Sequence, residues 1–238
     1  CGVNVQIFEK QPYPGGKIRT NNSPAGLIDS GPTVLTMYEV FEELFRACGE
    51  AIENHLEIVP EEIIARHWWR DGSSLDLFSS FEKNMESIRD FSGVKSAQEF
   101  EKFNSLSKAL FRLFEQPIIK SPKPRLLPMI IKGGGHLKAL YKTLVKQRIL
   151  YDFLEDNFSD PRLTQLFARY ATYVGGSPLM SPSILALIWN VESQGVWRVK
   201  GGMNQMPKCM ENIARKAGAV FSYGKSVDEI LIEDKKVQ

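Results

Sequence analysis

The chain opens on an alternation. Val3, Val5 and Ile7 are apolar, Asn4 and Gln6 between them are polar, and Phe8 follows, which predicts a short strand ending at Glu9. Pro12-Tyr13-Pro14-Gly15-Gly16-Lys17 reads as a loop, and Gly26 to Asp29 as a second strand with Ser30-Gly31-Pro32-Thr33 behind it. The period then changes. Val40, Phe41, Leu44, Phe45 and Cys48 recur at helical spacing, Thr36 with Glu39 predicts a capping box, and Gly49 predicts the stop. Ile63 to Phe78 returns to a strand pattern on either side of Asp71-Gly72, which predicts a hairpin with a type I′ turn.

Beyond the hairpin, helical patterning dominates. Ser96 to Glu99 predicts another capping box, after which Phe100, Phe103, Leu110, Phe111 and Phe114 line one face. Pro117, Pro122, Pro124 and Pro128 interrupt the pattern, and Leu137, Leu140, Tyr141, Leu144 and Val145 form a further stripe. Asp160-Pro161 and Ser181-Pro182 read as helix starts, with a capping side chain followed by proline. Gly201-Gly202 precedes a predicted helix from Asn204 to Ala217, stopped by Gly218, and Val220 to Tyr223 and Val227 to Ile232 read as strands. The order predicts an α/β domain built from residues 1–55 and 195–238, interrupted by a mainly helical insertion, 56–194, that carries the hairpin.

Composition narrows the function classes. With 238 residues, 43% of them hydrophobic and 24% charged, the chain has the material for a real core. A net charge of +2 offers no global signal for nucleic acid. Cys1, Cys48 and Cys209 are far apart and form no CxxC pair, so no zinc site or disulfide framework is indicated, and the usage suits a reducing cytosol. His55, His67 and His136 make no metalloprotease spacing, and neither a G-x-S-x-G elbow nor a Walker loop is present, so no metal is expected. No apolar run reaches the roughly 18 residues of a membrane-spanning helix. The chain begins with Cys1 and stops at Val237-Gln238 just after a turn signal, and an internal piece of a longer protein is expected.

Three groups of residues could carry chemistry. Glu9 stands at the end of a strand, where an acid can accept hydrogen bonds from both hydroxyls of a ribose; a solvated loop acid is the other reading. Gly15-Gly16 permits close backbone approach to a ligand and Lys17 supplies a cation for a pyrophosphate, or the three form a surface turn. Gly31-Pro32-Thr33, after Asp29, would let a flat ring lie against the backbone, or merely turns the chain into the following helix.

These segments have a specific likeness. Val5-Gln6-Ile7-Phe8-Glu9-Lys10, Gly15-Gly16-Lys17-Ile18-Arg19-Thr20 and Asp29-Ser30-Gly31-Pro32-Thr33-Val34-Leu35-Thr36-Met37 resemble the FAD-dependent carotenoid desaturases of the bacterial phytoene desaturase type. Arg66-His67, Asp71 to Phe78, Asp160-Pro161-Arg162-Leu163, Phe167 to Tyr173, Gln194-Gly195-Val196-Trp197 and Gly201-Gly202-Met203 sharpen the likeness toward the hydroxyneurosporene (methoxyneurosporene) desaturase branch. The resemblance runs along nearly the whole chain. It implies a flavin-binding, Rossmann-like domain of the glutathione-reductase type, incomplete here, with Glu9 on the adenosine ribose of FAD. It places Gly15, Gly16 and Lys17 along the phosphate and ribityl part, Gly31, Pro32 and Thr33 near the isoalloxazine, and the main chain of Val227 against adenine. The Gly-rich dinucleotide fingerprint expected about 20 residues before Glu9 is not in this sequence.

The implied reaction is dehydrogenation of a carbon–carbon bond, in that branch C3–C4 of a 1-hydroxylated or 1-methoxylated acyclic carotenoid. Such a substrate needs an apolar tunnel, for which Phe100, Phe103, Phe111, Phe114, Phe167, Tyr170, Tyr173, Trp189 and Trp197 are candidates, with plain core packing as the alternative. No catalytic base is assigned. Arg169 and Glu192, charged residues amid apolar helices, read as a polar pair near the substrate, a structural ion pair or surface groups. From residue 116 to 151 the sequence carries Lys120, Lys123, Arg125, Lys132, Lys138, Lys142, Lys146 and Arg148 and no acid, interleaved with the apolar run around Leu126 to Ile131. That pattern is expected to contact an anionic membrane surface rather than nucleic acid, giving a cytoplasmic protein peripheral to the membrane. A phytoene desaturase acting on another carotenoid, a flavin amine oxidase and a non-catalytic lipid-binding fragment are the rival readings.

Overall fold

A computed structural model describes residues 3–123, 149–234 and 236–237. The stripe from Leu137 to Val145 and most of the basic segment, Arg125 to Arg148, lie outside the described residues. The chain divides into two compact units, one of residues 1–60 with 197–238 and one of residues 61–196.

In the first unit, β1 (Gln6–Glu9) pairs in parallel with β8 (Val220–Tyr223), in the register Gln6 to Val220 and Glu9 to Tyr223. Parallel neighbours need a long crossover, and here the crossover is most of the chain. β2 (Thr20–Ser23) and β3 (Gly26–Asp29) form an antiparallel hairpin. β4 (Ile58–Pro60) pairs antiparallel with β7 (Trp197–Val199), and Leu35 bridges to Trp197. Two helices belong to this unit: α1 (Tyr38–Ala47) and α6 (Gln205–Lys216). Their apolar faces meet in a core of Leu35, Phe45, Ile52, Val199, Met203, Met206 and Ile213. β9 (Ile232–Glu233) and β10 (Lys236–Val237) form a short hairpin at the end of the described chain.

Two expectations are corrected in this unit, and one strand was not foreseen. Thr36 is not the cap of α1; the N-cap is Met37, whose backbone is left-handed (φ 53°, ψ 52°), and no side chain caps the helix. The polar run Thr20 to Ser23 is a strand that alternation did not flag. Val227 to Leu231 is irregular rather than a strand, and Val227 is 57% exposed. Apolar content alone cannot make a strand where no neighbour takes up its hydrogen bonds.

In the second unit, β5 (Ile63–Trp68) and β6 (Ser74–Phe78) form the expected hairpin. Its turn is not type I′. Gly72 N donates to Trp69 O, Gly72 has φ 84°, and Trp69 N reaches Ser73 O at 2.9 Å. That is the three-residue loop, a turn followed by a left-handed glycine. Helix α2 (Phe81–Phe114) starts at Ser80, whose Oγ accepts from Lys83 N, and breaks at Gly93 (φ 87°, ψ 172°). The capping box expected at Ser96 does not form: Ser96 is buried against Ser92 Oγ, and Glu99 accepts from Ser159 instead.

Helices α3 (Leu150–Glu155), α4 (Pro161–Ala168) and α5 (Ile188–Ser193) complete the second unit. Asp160 caps α4 as predicted, its Oδ1 accepting from Arg162 N at 2.8 Å. The start expected at Ser181-Pro182 becomes a 3-10 turn, Ser183–Leu187, that runs into α5. Phe167 is central to the core, with Phe100, Phe103, Phe158, Tyr170 and Trp189 around it at ring-centroid distances of 4.7 to 6.2 Å. Ser107 Oγ donates to Ala186 O and accepts from Asn190 N, so α2 and α5 are joined through polar as well as apolar contacts.

Candidate functional site

Glu9 ends β1 at the carboxyl edge of the parallel pair, where α/β proteins bind nucleotides. Its Oε1 accepts from Gln11 N at 2.8 Å, which leaves Oε2 without a partner among the described residues. Its carbonyl accepts from Lys225 N at 3.0 Å, and Gly224 N donates to Gln11 O. The segment leading to Val227 is thereby laid against the end of β1, although Val227 itself is exposed and outside any strand.

The two glycine loops meet at the backbone. A Cβ at Gly31 would lie 2.0 Å from the carbonyl oxygen of Lys17, a separation only glycine permits. Gly15 (φ 108°) closes a turn through Ile18 N to Gly15 O at 2.8 Å, and a Cβ there would meet Ile18 O and Pro207. Gly16 and Lys17 are exposed beside it, as are Gly31, Pro32 and Thr33.

The first turn of α6 braces this junction, which the sequence reading did not find. Asp29, at the end of β3, accepts from Met203 N through Oδ2 at 3.0 Å, while its Oδ1 is buried without a partner. A Cβ at Gly202 (φ 92°) would come within 2.9 Å of that carboxylate. Asn204 Nδ2 donates to Ile18 O at 3.1 Å. The available signals were the acid directly before the Ser30-Gly31 turn and the Gly201-Gly202 doublet, but nothing local says that they touch.

In the second unit, Arg169 and Glu192 form an ion pair. The guanidinium grips the carboxylate through both terminal nitrogens, Nη1 at 3.0 Å and Nη2 in closer contact. Tyr173 and Tyr170 hydroxyls donate to the same carboxylate at 2.6 and 3.2 Å. Burial, followed by the Glu192 charge, pushes both tyrosines upward in pKa, so both remain protonated donors. Burial, reinforced by Arg169, lowers the His67 imidazole to about 4. Most of the aromatic candidates are core: Phe100, Phe103, Phe167, Tyr170 and Trp189 are at most 1% exposed. Tyr173 is half exposed, and Trp197 lies in the first unit beside Tyr38 at 5.6 Å. No cluster of metal-ligating side chains, and no helix long and apolar enough to cross a membrane, occurs among the described residues.

The first unit thus holds a strand-end acid with one oxygen unpartnered among the described residues, and two glycine loops pressed backbone to backbone. Residues 1–238 match the family of flavin containing amine oxidoreductases, and the chain belongs to that family. FAD is the cofactor this membership implies, and the donor set around Glu9 and the glycine loops fits it. Among curated relatives, the chain is 42% identical over 237 residues to the hydroxyneurosporene desaturase of Rhodobacter capsulatus, covering 100% of this chain and 48% of the relative. It is 41% identical to that of Cereibacter sphaeroides, covering 97% and 46%. The chain therefore spans about half the length of these relatives. An oxidoreductase structure from Methanosarcina mazei shares the α/β fold at a TM-score of 0.55 and 16% identity, over 100% of this chain and 51% of that one.

Proposed function

We propose that this chain is part of an FAD-dependent desaturase that introduces a carbon–carbon double bond into an acyclic carotenoid, at C3–C4 of a 1-hydroxy or 1-methoxy substrate. The observation that carries the reading is the identity of 41–42% to hydroxyneurosporene desaturases, sustained over 97–100% of the chain. The first unit would hold the cofactor: Glu9 on the adenosine ribose, Gly15, Gly16 and Lys17 along the phosphates and ribityl chain, Gly31, Pro32 and Thr33 beside the flavin ring, and the Val227 main chain near adenine. Bound FAD supplies the two-electron oxidising capacity that an unactivated carbon–carbon bond requires. The glycine loops bring backbone rather than side chain to the cofactor and so leave room for a flat ring. The second unit would receive the apolar substrate and keep water from it.

The same reading places the protein at the cytoplasmic face of a membrane, where its substrate dissolves. Eight basic residues and no acid between positions 116 and 151 support it, each basic group being worth about 1 kcal/mol near an anionic surface.

The test is reconstitution of the full-length protein with FAD, an electron acceptor and liposomes carrying a 1-hydroxylated acyclic carotenoid. The expected product has one more conjugated double bond and absorbs at longer wavelength. Desaturation of unhydroxylated carotenoids alone would favour the phytoene desaturase reading. Oxidation of amines with no carotenoid turnover would replace both by an amine oxidase.

A further inference from the structure

Within the second unit, a cavity of about 170 Å³ is lined by His67, Trp68, Trp69, Gln165, Leu166 and Arg169. Two of these residues carry a buried nitrogen without a hydrogen-bond partner, His67 Nε2 and Arg169 Nε. Their neighbours are already committed. Arg169 spends its two terminal nitrogens on Glu192, and Gln165 Oε1 takes the Trp69 indole N–H at 2.9 Å. Buried polar atoms nearly always find a partner, so two orphans on residues of one lining point to a partner that is not protein.

Their chemistry selects that partner. Arg169 Nε–H can only donate. The His67 ring is held neutral, since burial and the adjacent guanidinium oppose a second positive charge there. With its proton on Nδ1, its Nε2 can only accept. One atom that accepts from the first and donates to the second is a hydroxyl oxygen. An ether or carbonyl oxygen could satisfy Arg169 but not His67, and a cation would be repelled. The remaining walls, Trp68, Trp69 and Leu166, are apolar or aromatic. The space is several times the roughly 30 Å³ share of one water, which leaves room for the carbons that bear the hydroxyl.

We propose that this cavity is a specificity site for the hydroxyl-bearing end of the acyclic substrate, the hydroxyl accepting from Arg169 Nε and donating to His67 Nε2. The assignment rests on the desaturase reading above and adds to it the residues that tell a hydroxylated end from an unfunctionalised one.

The experiment is a competition in the full-length, FAD-loaded enzyme between a 1-hydroxylated carotenoid and its unhydroxylated parent. It is run for the wild type, His67→Phe, which keeps a ring without the acceptor, and His67→Gln, which restores an acceptor. The wild type prefers the hydroxylated substrate. In His67→Phe the ratio of kcat/KM values falls about tenfold, the effect of one lost hydrogen bond, and the change lies in KM. His67→Gln recovers part of the ratio. Flavin content and Tm, measured on each variant, separate loss of discrimination from loss of fold. An active wild type whose preference is the same in His67→Phe, as expected if the cavity holds only water, overturns this assignment and leaves the desaturase reading standing. A wild type inactive on both carotenoids overturns both.

Discussion

The two units solve the burial problem differently. The second gathers aromatic rings around Phe167 and supplies its carboxylate–guanidinium pair with hydroxyl donors from within. The first leaves apolar side chains open even on its parallel strand pair. Val5, Ile7 and Phe8 near or on β1 are 37–51% exposed, and Val220 on β8 is 55% exposed. What it arranges with care is backbone, through Gly31 on Lys17 O and Asp29 on the start of α6. The larger aromatic core lies in one unit and the glycine-tightened loops in the other.

Substitutions can break that contrast. The largest effect is expected from Gly31→Val. Its branched side chain would overlap the Lys17 carbonyl, push the two glycine loops apart and leave the purified full-length protein with little or no flavin absorbance. Retention of a full complement of flavin would show that the loop junction is not part of the cofactor cradle. Phe167→Ala removes the centre of the aromatic stack and should destabilise by about 3–5 kcal/mol in denaturant unfolding. Phe8→Ser, at a side chain already half exposed, should stay within about 0.5 kcal/mol. Equal effects at the two positions would erase the distinction between the units.

The smallest expected change sharpens the comparison through pH. Asp160 caps α4 and also bonds the Arg162 side chain and Ser92, and the Arg162 contact above all lowers its carboxyl to about 2. A carboxylate whose folded pKa is depressed contributes stability above its unfolded value, near 3.8, and loses that contribution as pH falls toward 2. Asp160→Ala should therefore cost about 1 kcal/mol near neutrality, and the gap between variant and wild type should close in thermal melts below pH 3. A gap that persists unchanged at low pH would assign the residue a purely steric role.

How much of this was legible in the sequence depended on whether the signal was local. The strand ending at Glu9, the helix stopped by Gly49, the Asp160-Pro161 start and the buried face from Phe100 to Phe114 all follow from periodicity and capping chemistry carried by adjacent residues. Local signals also misled where the backbone had another use for the residues. Thr36 gave way to a left-handed Met37, and Ser96 lies inside the helical segment that resumes after the break at Gly93, its hydroxyl taken by Ser92. Thr20 to Ser23 was missed because a strand with solvent on both faces carries no alternation. The candidate cofactor residues were visible as glycines and an acid in loops. Their brace was not, because Asp29 meets Met203 across 174 positions and Asn204 meets Ile18 across 186.

The pairing of β1 with β8 also sets an order of assembly. Gln6 and Ser222, joined by a side-chain hydrogen bond, are 216 positions apart, so the first strand leaves the ribosome long before its neighbour exists. At about 5–20 residues per second the wait is roughly 10–40 seconds. Residues 61–196 are contiguous and complete before β8 is made, so the helical unit can mature while β1 still lacks this neighbour. For the living cell, the vulnerable moment is the interval in its synthesis when β1 waits for β8, and chaperone demand should peak there.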